Sequence, residues 1–337
     1  MTRDLPIGCA GNGVLHTDRE VPDIDTRFRM VKEAGVFDYY DKSPPMGEVD
    51  QYLAASSKYA VPIRATGFFY VLGRDEPLLE WNLRVAAQAG ALVHNVQIMT
   101  RKLDGSLATD DEVAEAYLRA YDTGQALGVD PCLEVHINMW SEHLGRVERV
   151  GRLVEARGIP FNMTLDHSHV IFKIDNPKEQ AVQGMDAEIE AGRLVLDPFT
   201  PGHVCEIWIE AGWVRHAHAR AAVPNNPVNV WARHPDGSFG RGVQYPFLRP
   251  APGDWHSDWE EARLEPWKEV VRQLLAWHAR HPESRLGQVS TEFIPPPDYG
   301  GGARYSIFEQ NVACARWLRD TWRETLAALE PSGAAQA

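Results

Sequence analysis

Residues 130–137 read DPCLEVHI, residues 144–158 read LGRVERVGRLVEARG, and residues 159–169 read IPFNMTLDHSH. A short apolar run of β type is followed by an amphipathic helical stretch and then by a second β-type run. The first run ends near Glu134 and His136, the second near Asp166 and His169. A carboxylate or imidazole at the end of a buried strand is solvated, satisfied by a neighbour or bound to something, because burying it bare costs several kcal/mol. The stretch asks which fold repeats such units and what its strand ends hold.

The same alternation runs along the chain. LPIGCAGNGV precedes TRFRMVKEAG, VFDYYDKS precedes VDQYLAASSKYA, and VPIRATGFFYVLG leads to PLLEWNLRVAAQAG. LVHNVQIMT leads to TDDEVAEAYLRAYDTGQALG, with Thr109 as N-cap and Gly128 as stop signal. Beyond the opening stretch come NPKEQAVQGMDAEIEAG as a helical segment and the strand WVRHAHAR. LEPWKEVVRQLLAWHARH is the next helix, and LGQVSTEFIP followed by SIFEQNVACARWLRDTWRETLAALE closes the series. About eight strand–helix units predict an α/β protein with a single closed (β/α)8 barrel over residues 1–330, with a frayed tail at 331–337. GCAGNG at 8–13 has the wrong spacing for a dinucleotide fingerprint and reads as a turn. Residues 221–258, after the seventh strand, form a long insertion containing Trp231, Tyr245, Phe247 and Trp255. Its length and its aromatic residues predict an ordered cover over the active site.

Composition narrows the function. Hydrophobic content of 44% with 24% charged residues is that of a soluble globular protein, and no apolar run approaches a membrane span. The N-terminus MTRDLPIG has no signal-peptide apolar region, so the expected location is cytoplasmic. A formal net charge of -13 argues against a nucleic-acid partner. Cys9, Cys132, Cys205 and Cys314 are scattered without metal or redox spacing and read as buried thiols.

In a (β/α)8 barrel the working residues sit at the C-terminal ends of the strands. Four later strands place ligand-type residues there: Glu134 and His136, Asp166 and His169, His216 and His218, and Glu292. Residues two apart on a strand share a face, so Glu134 pairs with His136 and His216 with His218. Taken alone, EVH also reads as a salt-linked surface pair and HAH as a polar strand end. Four strands finishing this way point to a shared divalent metal site, since buried acids need partners.

The ordered set resembles the xylose isomerase-like barrels, the sugar phosphate isomerase/epimerase group with its ketose 3-epimerases and inosose dehydratases. That resemblance implies a metal held by Glu134, Asp166, His218 and Glu292, with His169 three residues beyond the Asp and His218 in an H-x-H strand. LRPAPGDWHSDW also resembles the turn that follows the family's His strand. The chain departs from the family at HARAA, where Arg220 stands in place of a Lys and the following Asp is missing.

Three carboxylates and one imidazole favour Mn2+, with Mg2+ or Co2+ as alternatives. The resemblance implies a sugar or sugar-acid isomerase or epimerase acting through a metal-bound enediolate. Glu134 and Glu292 would then be both ligands and proton-transfer groups. His169, Arg220 and His216 would lie around the substrate. His136 is a further candidate base, because an imidazole titrates near working pH. Two other readings stay open: a lyase on the same scaffold (a dehydratase or C-glycoside-cleaving subunit), and a metal-dependent hydrolase or non-catalytic sugar binder. The expected partner is a small carbohydrate, and the aromatic loops and the resemblance favour a homo-oligomer over a monomer.

Overall fold

A computed structural model describes residues 4–329, and the tail expected at 331–337 lies outside them. The strands are β1 (Ile7–Ala10), β2 (Tyr39–Asp41), β3 (Ile63–Tyr70), β4 (Val93–Ile98), β5 (Asp130–Glu134), β6 (Met163–Asp166), β7 (Val214–Ala219), β8 (Asn229–Arg233), β9 (Phe239–Gly240) and β10 (Gln288–Thr291). Eight of them close a parallel barrel in the order β1-β10-β7-β6-β5-β4-β3-β2, and β8 with β9 forms a separate antiparallel pair. This is the predicted (β/α)8 architecture, in which β10 is the eighth barrel strand.

The outer helices form where the sequence changes from a period of two to one of 3.6. In the helix Leu144–Glu155 the buried residues Leu144, Val147, Val150, Gly151 and Val154 make one stripe facing the barrel. A Cβ at Gly151 would lie 2.7 Å from the Trp213 ring, so glycine lets this helix approach closely. The helix Asp110–Leu127 begins with a reciprocal cap between Thr109 and Glu112 and ends at Gly128 with φ 74°, as predicted. The segment read as one helix after β6 is instead two, Pro177–Ala181 and Asp186–Glu190, separated around Gly184 at φ 71°. The glycine-rich stretch at 8–13 divides as well, since residues 8–10 belong to β1 and only Gly11–Gly13 form the turn.

Contacts between strands that are not neighbours run through the barrel interior. Tyr39 of β2 crosses to Ser290 of β10, with its hydroxyl 2.8 Å from Ser290 Oγ. The ring passes over Gly8, where a Cβ would lie 2.2 Å away, so the glycine makes room for an aromatic floor. His216 sits on this floor with Nε2 3.0 Å from Ser290 Oγ and Nδ1 3.1 Å from Asn95 Oδ1.

The insertion at 221–258 is ordered by its own aromatic residues. Tyr245 is fully buried, stacks on Trp259 and meets Trp255 edge-on, while Phe247 packs against Trp267, Phe293 and Trp317. The segment also grips the loop after β10: Asn229 Nδ2 donates to Pro297 O, Tyr299 O and Gly301 O, and Val243 N donates to Asp298 O. Among the described residues, no helix is long and apolar enough to cross a membrane.

Candidate metal centre

Parallel register brings the late strand ends to one height. Asp166 pairs with His218, and Ser290 pairs with His218 from the other side, so Glu292, just past β10, stands beside Arg220. Ligand atoms of Glu134, Asp166, His218 and Glu292 all lie within 4.8 Å of one another, which is compact enough for one ion.

His218 is the hub. Its Nδ1 lies 2.8 Å from Glu134 Oε1 and 3.0 Å from Glu292 Oε2, and its Nε2 lies 3.2 Å from Asp41 Oδ2 on the far side of the ring. Burial alone lowers the imidazole's pKa, but Glu292, Glu134 and Asp41 outweigh it and hold the ring protonated well above its ordinary range. Gln97 Nε2 donates to Glu134 Oε2 at 2.8 Å and fixes that carboxylate.

Asp166 is fully buried. Ser168 holds its Oδ1 through both N–H and hydroxyl, at 3.1 and 2.5 Å. Its Oδ2 lies 2.8 Å from Arg220 Nη1 and 3.2 Å from His169 Nε2, yet no donor meets it with hydrogen-bond geometry. Burial raises this carboxyl, but the Arg220 guanidinium first, and then contact with His169, hold it well below the usual carboxylate range. Arg220 also pairs with Glu292 through Nη2, and its Nε donates to the Glu292 carbonyl at 3.0 Å.

The charge balance supports a cation. Four carboxylates, from Asp41, Glu134, Asp166 and Glu292, are in direct contact with two cationic groups, the His218 imidazolium and the Arg220 guanidinium. Lys42 feels Asp41 and Glu292 from a distance but is hydrogen-bonded to Asn12 Oδ1 at 2.7 Å. Four acids thus share two cations, and excess buried charge of one sign costs several kcal/mol. A divalent ion at His218 Nδ1 would replace that nitrogen's proton and add one net positive charge to the set. The orphaned Asp166 Oδ2 and a donor set of oxygens plus one imidazole fit such an ion.

No family model matches the sequence, and no curated protein does. Solved structures share the fold at low identity. D-psicose 3-epimerase of Clostridium cellulolyticum H10 with D-tagatose aligns over 96% of this chain and 99% of its own, at TM-score 0.53 and 14% identity. The 3-keto-D-glucoside 4-epimerase of E. coli aligns over 94% and 100%, at 0.52 and 12%. A xylose isomerase-like TIM barrel protein of Mycobacterium smegmatis in complex with magnesium aligns over 96% and 98%, at 0.52 and 11%. The chain has the xylose isomerase-like TIM-barrel fold.

Within this xylose isomerase-like barrel the other expected site residues fall in two places. His169 and Arg220 adjoin Asp166, and the His136 ring lies 4.6 Å from the His169 ring. His136 Nδ1 faces Ile137 O at 2.6 Å, so the proton sits on Nδ1 and Nε2 accepts from the Tyr299 hydroxyl at 3.0 Å. Burial and then neighbouring His169 push His136 down to about 4, which leaves it neutral at pH 7. His216, by contrast, lies beneath the cluster, fully buried, and burial pushes it down to about 3.

Sequence reading missed Asp41, Gln97 and Tyr299. Asp41 ends VFDYYDKS and carries the same signal as the later strand ends, an acid closing an apolar run. Tyr299 stands in PPPDYGGG after the last barrel strand, and its ring centroid lies 4.2 Å from the Arg220 guanidinium carbon.

Proposed function

We propose that this protein is a divalent-metal-dependent isomerase or epimerase of sugars or sugar acids, moving a proton on the carbon next to a carbonyl. The observation that carries this reading is the convergence of Glu134, Asp166, His218 and Glu292 in a buried cluster where acids outnumber cations. The sugar epimerases and the magnesium-bound barrel that share the fold support it. When bound, Mn2+ or Mg2+ would hold adjacent oxygens of a hydroxy-ketone and polarise its carbonyl.

The chain's own groups divide the remaining work. Glu134 and Glu292 approach His218 from different strands, as proton-transfer groups on two faces of a substrate must. Glu292 uses only Oε2 against His218 and Arg220, and at 14% its side chain is the most exposed of the four, so its Oε1 is the acceptor we assign to the first proton transfer. Arg220 and His169 would act on substrate oxygens only at the edge of the cluster, since both are buried and engaged with Asp166, Ser168 and Glu292. The insertion at 221–258 acts as a cover by holding the loop that carries Tyr299.

One observation favours a second reading, a lyase on the same scaffold. The Tyr299 hydroxyl, which donates to neutral His136 and whose ring lies by Arg220, would protonate a leaving group if it turned from His136 towards it.

The test is incubation of metal-replete protein in D2O with a panel of ketoses, aldoses and oxidised sugars. Deuterium next to the carbonyl of a recovered, rearranged sugar is the expected result. An unsaturated product would establish the lyase. Exchange that persists fully after removal of divalent metal, or no exchange with any sugar, would defeat the proposal.

A further inference from the structure

We infer that Asp41 is a positioning residue for the metal centre: it holds the Nε2–H of His218 and so leaves Nδ1 to face the ion. This rests on the metal reading of the site. Asp41 ends β2, three strands round the barrel from β7, and reaches His218 through the interior. Its Oδ2 lies 3.2 Å from His218 Nε2, while Nδ1 points at Glu134 and Glu292. A histidine ligand is oriented by the partner of its other nitrogen, and a carboxylate in that place fixes the tautomer and makes the ligating nitrogen more basic.

One neighbour opposes this assignment. Asn95 Nδ2 lies 3.2 Å from the same Nε2, and Asn95 Oδ1 is already engaged by Thr164 Oγ1 and lies 3.1 Å from His216 Nδ1. Nε2 cannot both donate to Asp41 and accept from Asn95. If Nε2 were unprotonated, a buried carboxylate would face a nitrogen lone pair. If it is protonated, only one neutral amide N–H loses its acceptor. Hydrogen bonds to ionised groups are roughly twice as strong as neutral ones, so the carboxylate decides the tautomer.

The experiment has two arms, neither of which needs turnover. In the first, divalent-ion affinity is measured by calorimetry on metal-stripped wild type and Asp41→Asn, with circular dichroism as the fold check. The expected loss is roughly 10- to 100-fold, the scale for outer partners of ligating histidines. An affinity within about twofold of wild type would overturn the inference. In the second arm, 15N spectra of histidine-labelled, Zn2+-loaded wild type, with His218 assigned by comparison with His218→Gln, should show Nε2 protonated and Nδ1 metal-bound. The reverse pattern would overturn the inference even if Asp41→Asn fails to fold. A wild type that takes up no divalent ion would overturn both the metal centre and this role for Asp41. Normal uptake by both proteins would overturn the role of Asp41 alone.

Discussion

His218 and His136 both lie close to Glu134, but they meet it differently, and substitution should separate them. His218 contacts Glu134, Glu292 and Asp41 at once, so His218→Ala removes the nitrogen proposed to hold the ion and the contact shared by three acids. Losing an outer partner of a ligating histidine already costs about 10- to 100-fold in metal affinity, so loss of the ligand itself should cost roughly 100-fold or more. Metal content of the purified variant, measured after dialysis, checks this. His136 contacts Tyr299 and the Ile137 carbonyl rather than the ligand carboxylates. His136→Gln should therefore keep its metal and lose roughly 100-fold or more in turnover, the scale of a positioned acid–base group. Wild-type turnover in that variant would reduce His136 to a support for Tyr299 and leave proton transfer with Glu134 and Glu292.

Strands and loops explain why some of this was readable and some was not. Each barrel strand lies inside a run that the sequence marks as apolar, and the convergence of Glu134, Asp166, His218 and Glu292 was legible because strand ends in such barrels converge whatever the detailed register. Gln97 and Tyr299 were not, because their contacts depend on distances between strands and loops that no local pattern encodes; Asp41 carried the strand-end signal, but not its reach across the barrel to His218. The break at Gly184 escaped for the opposite reason: amphipathic spacing continues through a residue whose backbone turns left-handed. The insertion's aromatic residues signalled order correctly, yet its link to the site runs through Asn229, one amide spanning three carbonyls of the Tyr299 loop. Asn229→Ala should leave those buried carbonyls unsatisfied, lowering stability by about 1–3 kcal/mol. It should also speed proteolysis within 295–302 and lower turnover while metal content stays at the wild-type level. Loss of metal in this variant would make the insertion part of the metal centre rather than its cover.

The whole molecule has a second buried charge cluster, which ties three loops at the mouth of the barrel and should set its tolerance of acid. Glu142 follows β5, Lys173 and Glu179 follow β6, and Arg241 belongs to the insertion. Lys173 Nζ lies 2.9 Å from Glu142 Oε1, and Arg241 pairs with both Glu142 and Glu179. The Lys173 and Glu142 side chains are 0% and 1% exposed, so the pairing is not discounted by solvent as surface pairs are. Burial raises the Glu142 carboxyl, but Arg241 and Lys173 overcome it and bring it down to about 2, from 4.5 when unfolded. A carboxyl whose pKa is lower when folded stabilises the protein above its unfolded value, and the contribution fades as pH falls through the folded one. The contribution of Glu142 is thus complete above about pH 5 and disappears towards pH 2. At 1.36 kcal/mol for each pKa unit it amounts to about 3 kcal/mol, in the range for breaking a buried pair. His94, pushed down to about 3 by burial, adds acid sensitivity that begins earlier, below 6.5, where only the unfolded chain takes up its proton. That sensitivity is common to wild type and Glu142→Gln and cancels between them. Urea unfolding of the two proteins should therefore differ by about 3 kcal/mol at pH 7, by less at pH 4, and by little near pH 2. A gap that stays constant over this range would mean that the amide's shape, rather than the lost charge, is what the loops feel.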